Sequence, residues 1–348
     1  MATMLDYIQE EEMVLKNILN KFELKKNEDF NKIKNLLILA TGSSYNACLA
    51  AKVTMEKIAN ISITIEEPYN FNHYGKISES VDAVLAVSQS GKSTSTIDAI
   101  KHMKKIGILT MALTSNIESP ISQVDHVFDL DMGIETVGFV TKGYSVTVTQ
   151  LILLSMTIGI NNGGATDKII NYYLEELSSV VQEIPSIINK TNYFFEKNQS
   201  IFKLCNRFVA IGYGPNWGTA KEFETKFTET VRKPSQGFEL EAYMHGPYLE
   251  ANHDHVLFFI DTQSVNLSRS NLLENYMRPH VGKTFVITTE TRENENVLSL
   301  GIGCDELVSQ LALVIPMQIL SYKIATSKGI DLGVRIFDDF DSILKSKL

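Results

Sequence analysis

The chain has 348 residues, 44% of them hydrophobic and 21% charged, with 32 Lys+Arg against 41 Asp+Glu and a formal net charge of -9. That length holds two globular domains, and the apolar fraction excludes a disordered or fibrous chain. The acidic balance opposes general nucleic-acid binding, so a phosphorylated ligand must be held by a local pocket rather than by the overall field.

Taken in order, the stretch from Leu5 to Leu24 has helical period. The N-terminal MATMLDYIQEEEM is acidic early and lacks the apolar segment of a signal peptide. Three short apolar runs come next: NLLILATG from Asn35, DAVLAVSQSG from Asp82 and GILTMALTS from Gly107. Each ends in small polar residues, as buried parallel strands do. Helical patterns separate and follow them, YNACLAAKVTMEKIAN and TKGYSVTVTQLILLSMTIGI among them. The apolar part of the latter, Leu151 to Ile160, is interrupted by Ser155 and Thr157 and is too short to span a bilayer. TDKIINYYLEELSSVVQEIPSIINK reads as a helix interrupted at Pro185.

The pattern then repeats. RFVAIGYG from Arg207, HVLFFIDTQS from His255 and KTFVITTE from Lys283 are again buried-strand runs, with helices in GTAKEFETKFTETVRK and CDELVSQLALVIPMQILSYKIA. Leu36 to Val84 is 48 residues, and Phe208 to Val256 is also 48. The reading is a tandem duplication of a three-layer α/β domain around a parallel sheet. The expected organisation is a helical arm over 1–26, a first domain over 27–165, a helical linker over 166–200 and a second domain over 201–348.

Ligands of open α/β sheets sit beyond the C-terminal ends of strands, at helix N-termini. Two loops there are rich in hydroxyls: TGSSYN, Thr41 to Asn46, and SQSGKSTS, Ser88 to Ser95. AVSQSGKS matches a permissive nucleotide-binding P-loop, but the strand AVLAV consumes Ala86 and Val87 and leaves too short a loop. GYGPNWG mimics a dinucleotide fingerprint without the acidic residue about 20 positions on. Glu229 lies in a helix that Pro234 should end, with Lys226 and Arg232 at i−3 and i+3 on one expected face. His245 falls in a turn before Gly246-Pro247. The cysteines Cys48, Cys205 and Cys304 and the pair His253 and His255 lack the spacing of a metal site. No metal and no cofactor is expected.

The ordered set TGSSYN, SQSGKS, IETVGFVTKGYS, KEFETKFTET and ELEAYMHGP resembles the sugar isomerase (SIS) family, from about Asn35 to the end of the chain. It most resembles the isomerase half of glucosamine-6-phosphate synthase and the fructosamine-6-phosphate deglycases. The resemblance implies two tandem three-layer α/β/α SIS domains with parallel sheets. By it, Ser44, Ser88, Gln89, Ser90 and Ser93 match positions that hold the sugar phosphate and hydroxyls, and Ser43 of the first hydroxyl-rich loop is expected beside them. Glu229 matches the base that shuttles a proton between C1 and C2, and Lys226 a lysine beside it. His245 matches the ring-opening histidine, which in the family reaches in from a neighbouring subunit, and Glu135 and Lys142 match polar residues flanking the site.

The sequence departs from the family's pattern in places. Lys92 stands for the glutamate of SQSGE, and Asp339 falls where the synthase tail has its Schiff-base lysine, with Lys345 and Lys347 a few residues on. No glutaminase domain is expected before the repeat. The acidic charge and the lack of a signal or spanning segment lead to the expectation of a cytoplasmic protein without nucleic-acid or membrane partners. The resemblance implies a homodimeric phosphosugar isomerase-type enzyme acting on a 6-phosphosugar or its amine adduct. A fructosamine-6-phosphate deglycase fits best, since its substrate already carries nitrogen, with an aldose–ketose or amino-sugar phosphate isomerase close to it. The alternatives are a non-catalytic sugar-phosphate sensor and an ammonia-dependent glucosamine-6-phosphate synthase-like isomerase.

Overall fold

The computed structural model describes residues 2–347. The chain opens on helix α1, Met4–Lys21. The first sheet follows, built from β1 (Asn35–Leu39), β2 (Ser62–Glu66), β3 (Ala83–Val87), β4 (Leu109–Thr114) and β5 (His126–Asp129). All its strands are parallel and their order is β2-β1-β3-β4-β5. Helices α2 (Ser43–Ala59), α3 (Pro68–Tyr74) and α4 (Thr94–Lys105) make the crossovers, and α5 (Lys142–Asn161) follows β5. Continuous aliphatic sequence forms the central strands because both faces are covered: every residue of β3 is buried.

The helical stretch between the halves is α6 (Asp167–Gln182) and α7 (Ile184–Leu204). Pro185 sits in the first turn of α7, where its missing N–H breaks no helical bond. The second sheet comprises β6 (Arg207–Gly212), β7 (Ser235–Glu239), β8 (His255–Asp261), β9 (Lys283–Thr288) and β10 (Val297–Ser299). Its order, β7-β6-β8-β9-β10, is that of the first sheet strand for strand, and it too is parallel. Its helices are α8 (Asn216–Thr230), α9 (Leu240–Met244), α10 (Leu267–Met277) and α11 (Ser309–Ser327), and the chain ends in α12 (Phe340–Leu344) and a short tail. The fold is thus two tandem three-layer α/β/α domains, each around a parallel sheet.

The compact units interleave along the sequence. One holds the first sheet and comprises residues 17–135, 146–174 and 335–348; the other holds the second sheet and comprises 1–16, 136–145 and 175–334. Among the described residues two stretches, 142–161 and 306–327, are long and apolar enough to cross a membrane, but 89% and 83% of their most apolar windows are buried inside the protein. Burial of that extent is what core helices show.

Candidate active site

In the unit of the first sheet, the chain order reverses between β1 and β3, so the loops leaving both strands open at one end of the sheet. After β1, Gly42 adopts φ 59 and turns the chain into α2, whose first two residues are Ser43 and Ser44. First-turn N–H groups have no intrahelical acceptor and face the loop. After β3, Ser88 is buried and its N–H donates to the Leu113 carbonyl at 3.1 Å. The Gln89 carbonyl accepts from Ser115 N–H at 2.9 Å and from the Ser115 hydroxyl at 2.8 Å. Gly91 N–H closes the turn on the Ser88 carbonyl at 3.0 Å. Gly91 itself has φ +66, and a Cβ there would lie 1.9 Å from Ser119 Oγ. The loop is therefore held by its backbone. Lys92 N–H donates to Ser90 Oγ at 3.3 Å, and Ser93 is the N-cap residue of α4, with its Oγ accepting from Thr96 Oγ1 at 2.9 Å. β3 ends at Val87, which leaves no long phosphate-wrapping P-loop.

The C-terminal tail reaches this loop. Thr94 N–H donates to the Ser346 carbonyl at 3.2 Å, Thr94 Oγ1 donates to the Lys345 carbonyl at 2.9 Å, and Lys347 bridges Ser93 in antiparallel fashion. Lys347 Nζ lies 3.2 Å from Asp341 Oδ2. Asp339 precedes α12 as its N-cap residue. The contacts with Ser93 and Thr94 come from Lys345–Lys347.

In the unit of the second sheet, α8 carries a buried charge cluster. Lys226 is 1% exposed, with Nζ 2.7 Å from Glu229 Oε2 and 3.6 Å from Glu222 Oε1. Glu222 is fully buried, whereas the Glu229 side chain is 37% exposed. An ammonium taken out of water needs such partners, and the i−4 and i+3 spacing supplies both from one helix face. Glu229 is thus a part-exposed carboxylate held by a buried cation. Arg232 does not join it: α8 ends at Thr230 and Arg232 lies beyond the helix at φ 54, so the expected three-residue face is wrong at that position. The chain has already left the helix before Pro234.

His245 caps the C-terminus of α9, its side chain 79% exposed, with Nε2 3.9 Å from Glu241 Oε2. Hydrogen bonds from Arg269 hold the Glu241 carboxyl below the usual carboxylate range. Lys142, the first residue of α5, is 2% exposed and its Nζ is 2.6 Å from Glu10 Oε2. Glu135 is half-buried and is the last residue of its segment in the first unit. Topology thus brings Ser43 and Ser44 to the same sheet end as Ser88, Gln89, Ser90 and Ser93, and α8 joins Lys226 to Glu229. Sequence reasoning missed Glu222, although Glu-x-x-x-Lys-x-x-Glu on a helix signals one shared face, and it missed Glu10, whose contact with Lys142 spans 132 residues. A cavity of about 620 Å³ beside β5, lined by Phe22, Lys25, His126 and Leu153 among others, contains none of these candidates.

Residues 29–159 match the SIS domain family. The chain is similar to glutamine–fructose-6-phosphate aminotransferase (isomerizing) of Bacteroides thetaiotaomicron, 25% identical over 307 residues that cover 86% of this chain and 49% of the relative. The chain thus spans about half the length of the curated relatives it matches. Among solved structures, the C-terminal domain of glucosamine-fructose-6-phosphate aminotransferase from Francisella tularensis superposes with a TM-score of 0.87 at 22% identity, covering 94% of this chain and 96% of that one. Glucosamine-6-phosphate deaminase from Thermotoga maritima superposes at 0.78 and 21% identity, covering 95% and 96%.

Proposed function

We propose that this SIS-domain chain is a phosphosugar isomerase-type enzyme whose 6-phosphosugar substrate carries an amine, a fructosamine-6-phosphate deglycase in the first instance. The observation that carries the reading is the pair of serine-bearing loops at the point where the first sheet reverses strand order, with the N-termini of α2 and α4 behind them. Hydroxyls, loop N–H groups and two helix dipoles suit a phosphate monoester without a dedicated arginine. Ser43, Ser44, Ser88, Gln89, Ser90 and Ser93 are the ligands in this reading, with Glu135 flanking them.

Glu229 is the base. It takes the proton from C1 of the 1-amino-1-deoxyketose and returns it to C2, while the amine nitrogen gives up its proton and the C2 oxygen gains one, so the C2 carbonyl becomes a hydroxyl and the C1–N bond becomes an imine. Water adds to that imine, the C–N bond breaks, and the products are the aldose 6-phosphate and the free amine. General base catalysis of this kind contributes typically about 10²–10⁴-fold. Lys226 holds the carboxylate, and His245 opens the sugar ring of a neighbouring subunit in a homodimer, a role its exposed position accommodates. The names of the relatives, an isomerizing aminotransferase and an amino-sugar phosphate deaminase, support a substrate that exchanges an amine.

A second reading, ammonia-dependent amination of fructose 6-phosphate, is favoured by the tail, which brings the stretch with Lys345 and Lys347 onto the serine loop. Incubation with phosphorylated fructosamines, fructose 6-phosphate and glucosamine 6-phosphate, followed by product detection and borohydride trapping, separates the readings. Free amine from fructosamines without an adduct supports the deglycase. An adduct at Lys345 or Lys347 with fructose 6-phosphate supports amination, and binding without turnover of any substrate leaves a sensor.

A further inference from the structure

Lys142 is a poor residue for its place. It is buried, and it opens α5, where the helix dipole opposes a positive charge. The first half of α1, in the same compact unit, resolves both problems. Glu10 Oε2 lies 2.6 Å from Lys142 Nζ, and the Tyr7 ring lies 4.9 Å beneath the same ammonium. The Tyr7 hydroxyl accepts from Thr136 N–H at 3.1 Å and contacts Thr136 Oγ1 at 3.0 Å. Two neighbouring residues of α1 thus grip the segment 136–142 at both ends.

That segment has a third tether. Gln318 Nε2 of α11 donates to the Thr141 carbonyl at 3.1 Å. Three residues further along α11, the Ser321 carbonyl accepts from Thr230 Oγ1 at 3.2 Å, and Thr230 is the neighbour of Glu229. Three residues of α-helix rise only about 4.5 Å. Successive attachment points on α11 therefore fix the segment 136–142 and the end of α8 that bears Glu229.

We infer that Glu10 is a positioning residue of the proton-transfer site: through Lys142 it holds the segment 136–142 in register with the helix that carries Glu229. The inference rests on the reading of Glu229 as the base. Its function is geometric, since a displacement of about 1 Å in a reacting site can cost on the order of 10²-fold in rate.

The test uses Glu10→Gln, which keeps shape at a half-exposed site, and Glu10→Asp as the conservative variant, with Glu229→Gln alongside. Amide hydrogen exchange of residues 136–141 should quicken by about tenfold or more in Glu10→Gln and revert toward wild type in Glu10→Asp. The kcat for proton exchange between a phosphorylated fructosamine and solvent should fall about tenfold, with affinity for the same sugar nearly unchanged. In Glu10→Gln with Lys142→Met the two losses should fail to add. Unaltered exchange at 136–141, or full kcat in folded Glu10→Gln, overturns the inference. Full activity in Glu229→Gln overturns the assignment of the base instead.

Discussion

Asp261 stands at the C-terminal end of β8, where the second sheet reverses its strand order. Ser270 Oγ donates to its Oδ1 at 2.6 Å, Oδ2 has no hydrogen-bond partner among the described residues, and Arg292 Nη1 is 3.7 Å away. Burial pushes its carboxyl up to about 6, against the pull of Ser270 and Arg292. The folded chain therefore holds this proton more tightly than the unfolded chain does. The stabilisation from it is complete below about pH 4 and is lost as pH rises through about 6, a difference on the order of 3 kcal/mol. Asp261→Asn, which cannot ionise, should raise the thermal midpoint at pH 8 and raise it by a clearly smaller amount at pH 4.5. Parallel melting curves check this, and a midpoint lowered equally at both pH values would show that the carboxylate is needed in its charged form.

The two serine loops carry the phosphate in the proposed reading. Ser88→Ala with Ser90→Ala should remove hydrogen bonds to a charged ligand worth about 1.5–3 kcal/mol each, and so weaken a hexose 6-phosphate at least tenfold by calorimetry. Unchanged affinity would move the phosphate elsewhere. These loops were legible because each follows a continuous apolar strand, and the central strands β1, β3, β4, β6, β8 and β9 were all readable that way. The four that escaped notice, β2, β5, β7 and β10, are the four sheet edges. An edge strand is covered less completely, so SITIE and SQGFE carry no unbroken apolar run. The tail escaped for another reason: its pairing with Ser93 and Thr94 spans some 250 residues, and no local pattern encodes such a contact. In the cluster on α8, helical spacing revealed the Lys226–Glu229 pair, while Arg232 was misplaced because a positive φ ended the face early.

The whole chain is one topology written twice, with the same strand order in both sheets. The duplication could be read from equal strand spacing; the divergence of the two copies could be read only from their loops. The first copy offers serines at its reversal point, and the second offers Tyr213, bonded to the Thr262 carbonyl at 2.9 Å, and the carboxylate Asp261. A carboxylate repels phosphate, so calorimetry with a hexose 6-phosphate should give one site per chain. Two equivalent sites would contradict that asymmetry. If His245 serves a neighbouring subunit, mixing inactive Glu229→Gln chains with inactive His245→Ala chains should restore part of the activity, and no recovery after subunit exchange would place the site within one chain. The central claim is that Glu229 moves the proton. It is tested most directly by following deuterium from solvent into C1 and C2 of a phosphorylated fructosamine with wild-type and Glu229→Gln protein. Exchange should fall by at least about 10²-fold while sugar-phosphate affinity stays within a few fold; undiminished exchange in the variant would assign the base to another residue.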